Sequence, residues 1–447
     1  MLSIAVSNRG IAALVLGSVC LAAVALGGCA RGVARPAPDP AALGRGEGAC
    51  LVGEVTPHTA ILWARCIDAD EILVQLDPGP EGGLRATIDR ERDHTARLPL
   101  LDLEPDTAYS YSIHCGESAP GGGTFQTPPL PGQAEAVRFA WFGDIGGQNV
   151  CRDRDHGYHP FAAVRAEDAD FFVALGDMVY VDDPCLEVGR YGNAQSPGPP
   201  APARELEDFH AHWRYGRADR PLQRAFSGAA VYAIWDDHEI RNDAGPAHDT
   251  LPDRPWQHLM PAARQAFLDY NPMPAIDGSP RLHRSVRWGR HLELFLLDTR
   301  GERDANDAAD RDGKSMLGEE QKAWLLDGLR ASDATWKVIV SSVPISVPTG
   351  TAEARDGWAD HGSGLGFESE LREILTVLQG LERRDVVWIT TDVHFGAAIR
   401  YTPFADDPEF VFHEIITGPL NAGVFPQREM DPTFHPERLY FHGPEAA

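Results

Sequence analysis

Positive charge is scarce in this chain. Lysine and arginine number 40 against 66 aspartates and glutamates, a formal net charge of −26. Binding nucleic acid through an overall field requires a basic protein, so that class is disfavoured. A phosphate substrate stays open, because a bound metal cluster can invert the local field. Long apolar runs are nearly absent: only Ile11 to Gly27 approaches a membrane span, and it is short for one. Cysteine is sparse too, and none falls inside the acidic motifs described below, which argues against a thiolate cluster. There are no internal repeats and no heptads. What is present is a globular composition, 43% hydrophobic and 24% charged, in a chain long enough for a large core plus an extra module.

The amino terminus reads as a targeting segment. Arg9 is a minimal basic region, the apolar run follows, and Leu26-Gly27-Gly28-Cys29 resembles a bacterial lipobox. A transmembrane anchor or a plain secretory signal are the competing readings; the short run ending in small residues favours cleavage. Residues 1–28 are then a signal peptide, Cys29 the lipidation site, and 29–48 a flexible Ala-, Pro-, Gly- and Arg-rich tether. The expected protein is exported and lipid-anchored, periplasmic or at the cell surface, and monomeric. Export permits disulfides. Cys151 and Cys185 each follow a strand end in Gly-Asp, so they are expected to pair; Cys66 and Cys115 form a second candidate pair.

Residues 49–128 read as all-β. Short strands such as Thr59-Ala-Ile-Leu-Trp-Ala-Arg65 and Glu71-Ile-Leu-Val-Gln-Leu76 are separated by Gly, Pro and Asp, which suggests a small sandwich. The run from Leu103 to Tyr111, followed by Gly123-Thr-Phe-Gln-Thr127, resembles a fibronectin type III-like module. From 137 to 447 the pattern becomes α/β. Phe139-Ala-Trp-Phe142 and Phe171-Phe-Val-Ala-Leu175 are buried-strand patterns closed by Gly-Asp, with a helical segment over 158–168 between them. Helices are also expected over 204–215, 255–270 and 318–330 and from Phe367. The loops 191–203 and 349–366 are expected to shape access to a site.

Four predicted strands end in acidic or histidine clusters: Asp144; Asp177 with Tyr180; Asp236-Asp237-His238-Glu239; and Asp392 with His394. Any one Asp after a strand is more often a turn residue or helix cap than a ligand, and a nearby Tyr is more often packing. Together they read differently, because a parallel sheet gathers such ends along one edge, where like charges repel unless a cation neutralises them. The donor set is hard and oxygen-rich, suited to Fe(III), Mn, Mg or Ca, with Zn possible. Asp177 is the natural bridge between two metals.

These motifs resemble the binuclear metallophosphoesterase superfamily. Gly143-Asp-Ile-Gly146 is similar to the form of its first motif in purple acid phosphatases, and Gly176-Asp-Met-Val-Tyr180 to its second. Trp235-Asp-Asp-His-Glu239 and Thr391-Asp-Val-His394, with Leu297-Asp-Thr-Arg300 and Gly418-Pro-Leu-Asn421, look most like PhoD-type alkaline phosphatases and phosphodiesterases. The resemblance implies an α/β/β/α sandwich preceded by the β module. It implies Fe(III) at Asp144, Asp177 and Tyr180, and Ca2+ (or Zn, Mn or Mg) at Asp177, Asp237, Asp392 and His394, with Asn242 a further candidate. His238 would contact a phosphoester and protonate its leaving oxygen, and Glu239 would orient His238. Two departures stand out. Asp144 occupies a position that is Cys in many such sequences, and Ser346 stands where the superfamily's "VxxH" motif has its histidine. Two alternatives follow: a purple-acid-phosphatase-like monoesterase, or a metal-bound surface binding protein without turnover.

Overall fold

The computed structural model describes residues 49–117, 121–247, 255–273, 281–311, 313–381 and 385–444, and the backbone of 2–7 and 10–15. Two large sheets face each other. In the first, Val137–Phe142, Phe171–Ala174 and Ala230–Ala233 run parallel; in the second, Leu292–Leu296, Trp336–Val340, Val386–Thr390 and Phe412–Ile416 do. Parallel strands covered on both faces read as continuous apolar runs, and Phe171–Ala174 is buried at every position. One core lies between the sheets, joining Trp141, Val173 and Tyr232 to Leu294, Val340 and Ile389. Phe171 ties the layers together: its ring is 5.1 Å from Phe139 and 4.5 Å from Trp288 of the facing sheet. Each such pair adds about 0.5–1.5 kcal/mol beyond its buried area.

Helices cover both outer faces. Leu206–Arg217, Arg220–Phe226 and Trp256–Tyr270 pack on the first sheet through Trp213, Phe226 and Phe267. Gly318–Ala331 and Glu368–Gly380 pack on the second through Leu325, Leu329, Leu371 and Ile374. The layer order is the expected α/β/β/α. Helix Arg220–Phe226 escapes the sequence pattern because it is only seven residues long, although its Asp219 cap and Pro221 mark the start.

The β module precedes this sandwich and fuses with it. Cys50–Gly53, Ala60–Arg65 and Thr95–Leu100 extend the first sheet, through one pairing between Gly53 and Val231. A Cβ on Gly53 would fall 2.3 Å from the Val231 carbonyl oxygen, so only glycine allows the approach. Leu84–Thr87, Glu71–Asp77, Ala108–Cys115 and Gly121–Gln126 form the module's other sheet. The Cys66–Cys115 disulfide joins the module's two sheets, and Cys151–Cys185 joins the loops that follow Asp144 and Asp177. Cys50 is left free.

Part of the expected leader is strand. Leu2–Ser7 and Gly10–Val15 form a hairpin, with Leu2–Ser7 antiparallel to Val137–Phe142. Residues 16–48, with the lipobox and Cys29, lie outside the described residues. No described helix is long and apolar enough to cross a membrane.

Candidate metal centre

The four clusters do meet, but not along the edge of one sheet. Asp144, Asp177 and Asp236 to Glu239 end strands of the first sheet, while Asp392 and His394 follow Val386–Thr390 of the second. The centre therefore lies where the two sheets' carboxyl ends converge. The turns are tight. Asp144, Asp177, Asp392 and His394 have φ of +52°, +51°, +76° and +59°, the left-handed region that costs non-glycine residues energy and recurs at functional sites. At Gly147 a Cβ would come 2.2 Å from the Tyr180 ring, so the first loop can pass Tyr180 only as glycine.

Donor atoms of Asp144, Asp177 and His394 lie within 4.8 Å of one another; so do those of Asp177, Asp237 and His238, and those of Asp236, Asp237 and Asp392. Asp177 and Asp237 each serve more than one group. Asp144 Oδ1, Asp177 Oδ2, Asp236 Oδ2, Asp237 Oδ1 and Asp392 Oδ2 are buried with no hydrogen-bond partner. Buried carboxylate oxygens left unpaired are costly, and cations would satisfy them. Hard divalent or trivalent cations fit this donor set. Without them, burial, followed by Asp177 and Asp144, pushes the Tyr180 phenol well up, and burial also pushes Asp177 and Asp392 well up.

Two residues take places other than those the resemblance implies. His394 does not sit with Asp237 and Asp392 but turns to the first group: its Nε2 is 3.6 Å from Asp144 Oδ1 and 3.2 Å from the Tyr180 hydroxyl. Left-handed residues at 392 and 394, either side of Val393, form the turn that bears the ring. Its Nδ1 donates to the Gly423 carbonyl, which leaves Nε2 the lone pair a ligand needs. Glu239 does not orient the His238 ring. Its carboxylate accepts the backbone N–H groups of Asp177 at 2.9 Å, Met178 at 2.7 Å and Asp236 at 2.8 Å, locking two metal-facing turns together.

The residue that holds His238 is Asp182, which the sequence reading missed. His238 Nδ1 is 2.7 Å from Asp182 Oδ1, and its ring stacks on Tyr180 at 4.0 Å. Burial works against the charged imidazole, but Asp182, Asp177 and Asp237 together raise it well above its usual range. The only sequence signal was an acidic pair two residues beyond Tyr180. Asn242 is exposed on the cavity wall, and its backbone N–H donates to Asp182 at 2.7 Å.

Asp356 and Asp243 were also missed, and Arg300 was quoted only within a motif, with no role. Arg300 is fully buried, binds Asp236 at 2.7 Å through Nε, and grips Asp356 with two bonds of 2.6 and 2.8 Å. Burial pushes Asp356 up, but Arg300 and Arg303 outweigh it and hold that carboxyl at about 2. Asp356 with Asp243 and Asp237 makes a fourth acidic group; Arg300 already neutralises much of it. Ser346 is buried, and the neighbouring Ile345 N–H donates to buried Glu414, so this stretch serves the core. The centre opens into a cavity of about 330 Å³ bordered by His238, Asp392, His394, Asn242, Thr349 and Arg428. Of the two long loops expected at the entrance, 349–366 contributes and 191–203 does not line this cavity.

A family model for PhoD-like phosphatases matches residues 139–442. Over 329 residues the chain is 25% identical to alkaline phosphatase D of Bacillus subtilis (strain 168), covering 67% of this chain and 53% of that protein. The chain thus spans about half the length of this curated relative. A solved structure of PhoD superposes with a TM-score of 0.70 at 21% identity, covering 86% of this chain and 79% of that one, a likeness of fold. The chain belongs to the PhoD-like phosphatase family.

Proposed function

We propose that the protein is a metal-dependent phosphoester hydrolase, acting on diesters or monoesters, exported and held at a membrane by lipid on Cys29. The observation that carries the reading is the convergence of five buried, unpartnered carboxylate oxygens beside a histidine fixed by its own carboxylate, at the wall of an open cavity. Asp144, Asp177, Tyr180 and His394 would hold one cation, Fe(III) being the best match to a tyrosine donor. Asp177, Asp237 and Asp392 would hold a second, with Ca2+ the first candidate. Bound there, the cations would acidify water and neutralise phosphoryl oxygens.

The chain's own residues supply the rest. Asp182 fixes the tautomer and orientation of His238 and stabilises its protonated form. His238 lines the cavity and its Nε2 makes no hydrogen bond among the described residues, so it is free to donate a proton to the leaving oxygen. Arg428 on the cavity wall places a guanidinium where a phosphate oxygen can accept from it. The two disulfides suit an extracytoplasmic setting. The test is hydrolysis of a chromogenic phosphodiester and its monoester analogue by protein beginning after Cys29, with and without added calcium. Calcium-dependent turnover fastest on the diester supports the reading. Folded, metal-loaded protein that cleaves neither would instead be a binding protein.

A further inference from the structure

A second large cavity lies on the helical face of the first sheet, and its charge is opposite to that of the whole chain. It has a volume of about 660 Å³ and is lined by Arg152, Arg154, Arg165, Arg220 and Arg224. In a protein of net charge −26, five guanidinium groups around one concavity are not the average surface. The carboxylates there are mostly engaged. Asp219 accepts from the Leu222 and Tyr158 backbone N–H groups, each at 2.9 Å, and lies 3.4 Å from Arg152 Nε. Asp153 is turned onto its own loop, accepting from the backbone of Asp155 at 3.0 Å and His156 at 2.9 Å. Asp155 is the one lining carboxylate left outside these contacts. Among the described residues, Arg154, Arg165, Arg220 and Arg224 form no ion pair. Arg152 is held in place by a 2.8 Å bond to the Tyr215 carbonyl and by stacking over the Tyr215 ring at 4.8 Å.

This cavity shares a loop with the metal centre. Residues 144–157 run from the metal-facing Asp144 to the cavity-lining Arg152, Arg154 and Gly157. The Cys151–Cys185 disulfide clamps that loop, and Asn421 Nδ2 donates to the Cys151 carbonyl at 3.3 Å. Tyr158, next to Gly157, packs against Gly146 beside Asp144. The two cavities are thus bordered by one loop, held by a disulfide and a hydrogen bond from Asn421.

We propose that the arginine-lined cavity is an anion exosite, binding phosphate groups of an extended, multiply charged phosphoester while another phosphate of the same molecule occupies the metal centre. The inference rests on the phosphoesterase reading and narrows its substrate class. Arginine suits it, because the planar fork matches phosphate oxygens in pairs. A ligand that engages both cavities gains through effective concentration, and a ligand with one phosphate does not.

The test compares metal-loaded full-length protein with the variant Arg154→Glu/Arg220→Glu/Arg224→Glu in two assays. Kinetics are measured on a single-phosphate chromogenic diester and on a long oligothymidylate, used as a probe with many phosphates. Binding of inorganic polyphosphate is measured by calorimetry at two salt concentrations. The expected result is an about tenfold rise in KM for the oligothymidylate with kcat and the short diester unchanged. Polyphosphate binding should be salt-sensitive in the wild type and about tenfold weaker in the variant. The milder Arg220→Gln/Arg224→Gln should shift both readouts the same way by less. Equal oligothymidylate KM and equal polyphosphate binding in all three proteins overturns the exosite. Equal loss on short and long substrates overturns it too. If the wild type hydrolyses neither ester, the phosphoesterase reading fails, and the polyphosphate assay still decides whether the cavity binds anions.

Discussion

His238 and Asp182 form one buried unit: Nδ1 of the imidazole lies 2.7 Å from Asp182 Oδ1, with each side chain about nine-tenths buried. Burial opposes charge on both groups, yet the pair favours it. His238 is raised, and Asp182 is lowered chiefly by His238. Asp182→Asn should therefore lower the pH to which His238 keeps its proton. The alkaline limb of the kcat profile should move to lower pH, with kcat down by about a hundredfold. An unchanged limb in the variant would remove Asp182 from the proton path.

Asp177 belongs to both main ligand groups, so Asp177→Asn should cost bound metal as well as turnover. Metal stoichiometry by elemental analysis should fall, and hydrolysis should drop by more than the 10- to 100-fold, roughly, typical of losing an outer-shell partner. Tyr180→Phe should abolish visible absorption if a tyrosinate–iron(III) pair is present. Full metal content and full turnover in Asp177→Asn would exclude it as the bridge.

Chelator-treated protein should respond to pH with a definite sign. Burial pushes both Asp236 and Asp243 from 3.8 to about 7. Between those values the folded chain holds protons that the unfolded chain has released, so stability is greatest on the acid side and falls as pH rises through about 7. Thermal unfolding of the metal-free protein should show a lower Tm at the alkaline end of this window, and added metal should restore most there. A metal-free Tm that climbs across this range would contradict the burial of these carboxyls.

Arg300 holds Asp236 and Asp356, all three side chains fully buried, so Arg300→Met strands two buried carboxylates. The expected cost is about 3–5 kcal/mol, read from the urea midpoint. A midpoint that barely moves would mean the network relaxes or neutralises on its own.

The strands were the most legible part of the chain. Phe139–Phe142 and Phe171–Ala174 announce themselves as apolar runs stopped by Gly-Asp, and the Cys151–Cys185 disulfide follows from where those strands end. The amphipathic helix Gly318–Ala331 is equally plain. Contacts set by distant chain segments were not legible. His394 meets Asp144 across 250 sequence positions, and its side is set by backbone dihedrals at 392 and 394 that no residue pattern specifies. Asp182 and Asp356 look like loop acids; only the fold shows that one faces a histidine and the other two arginines. Glu239 was misread because a neighbouring His is the nearest partner in sequence, whereas in space three backbone N–H groups are nearer.

The contact of Gly53 with Val231 also bears on how the chain can be divided. The family match begins at residue 139, but a fragment cut there would lose the strands that continue the sheet beyond Ala230–Ala233. Arg284, buried and paired with Glu54, would be stranded, and the Tyr232 hydroxyl would lose the Val55 carbonyl. Such a fragment would present an open sheet edge to other copies of itself and precipitate rather than fold. The β module and the sandwich are therefore not interchangeable cassettes: swapping in a foreign module would succeed only where it brings its own glycine to the seam.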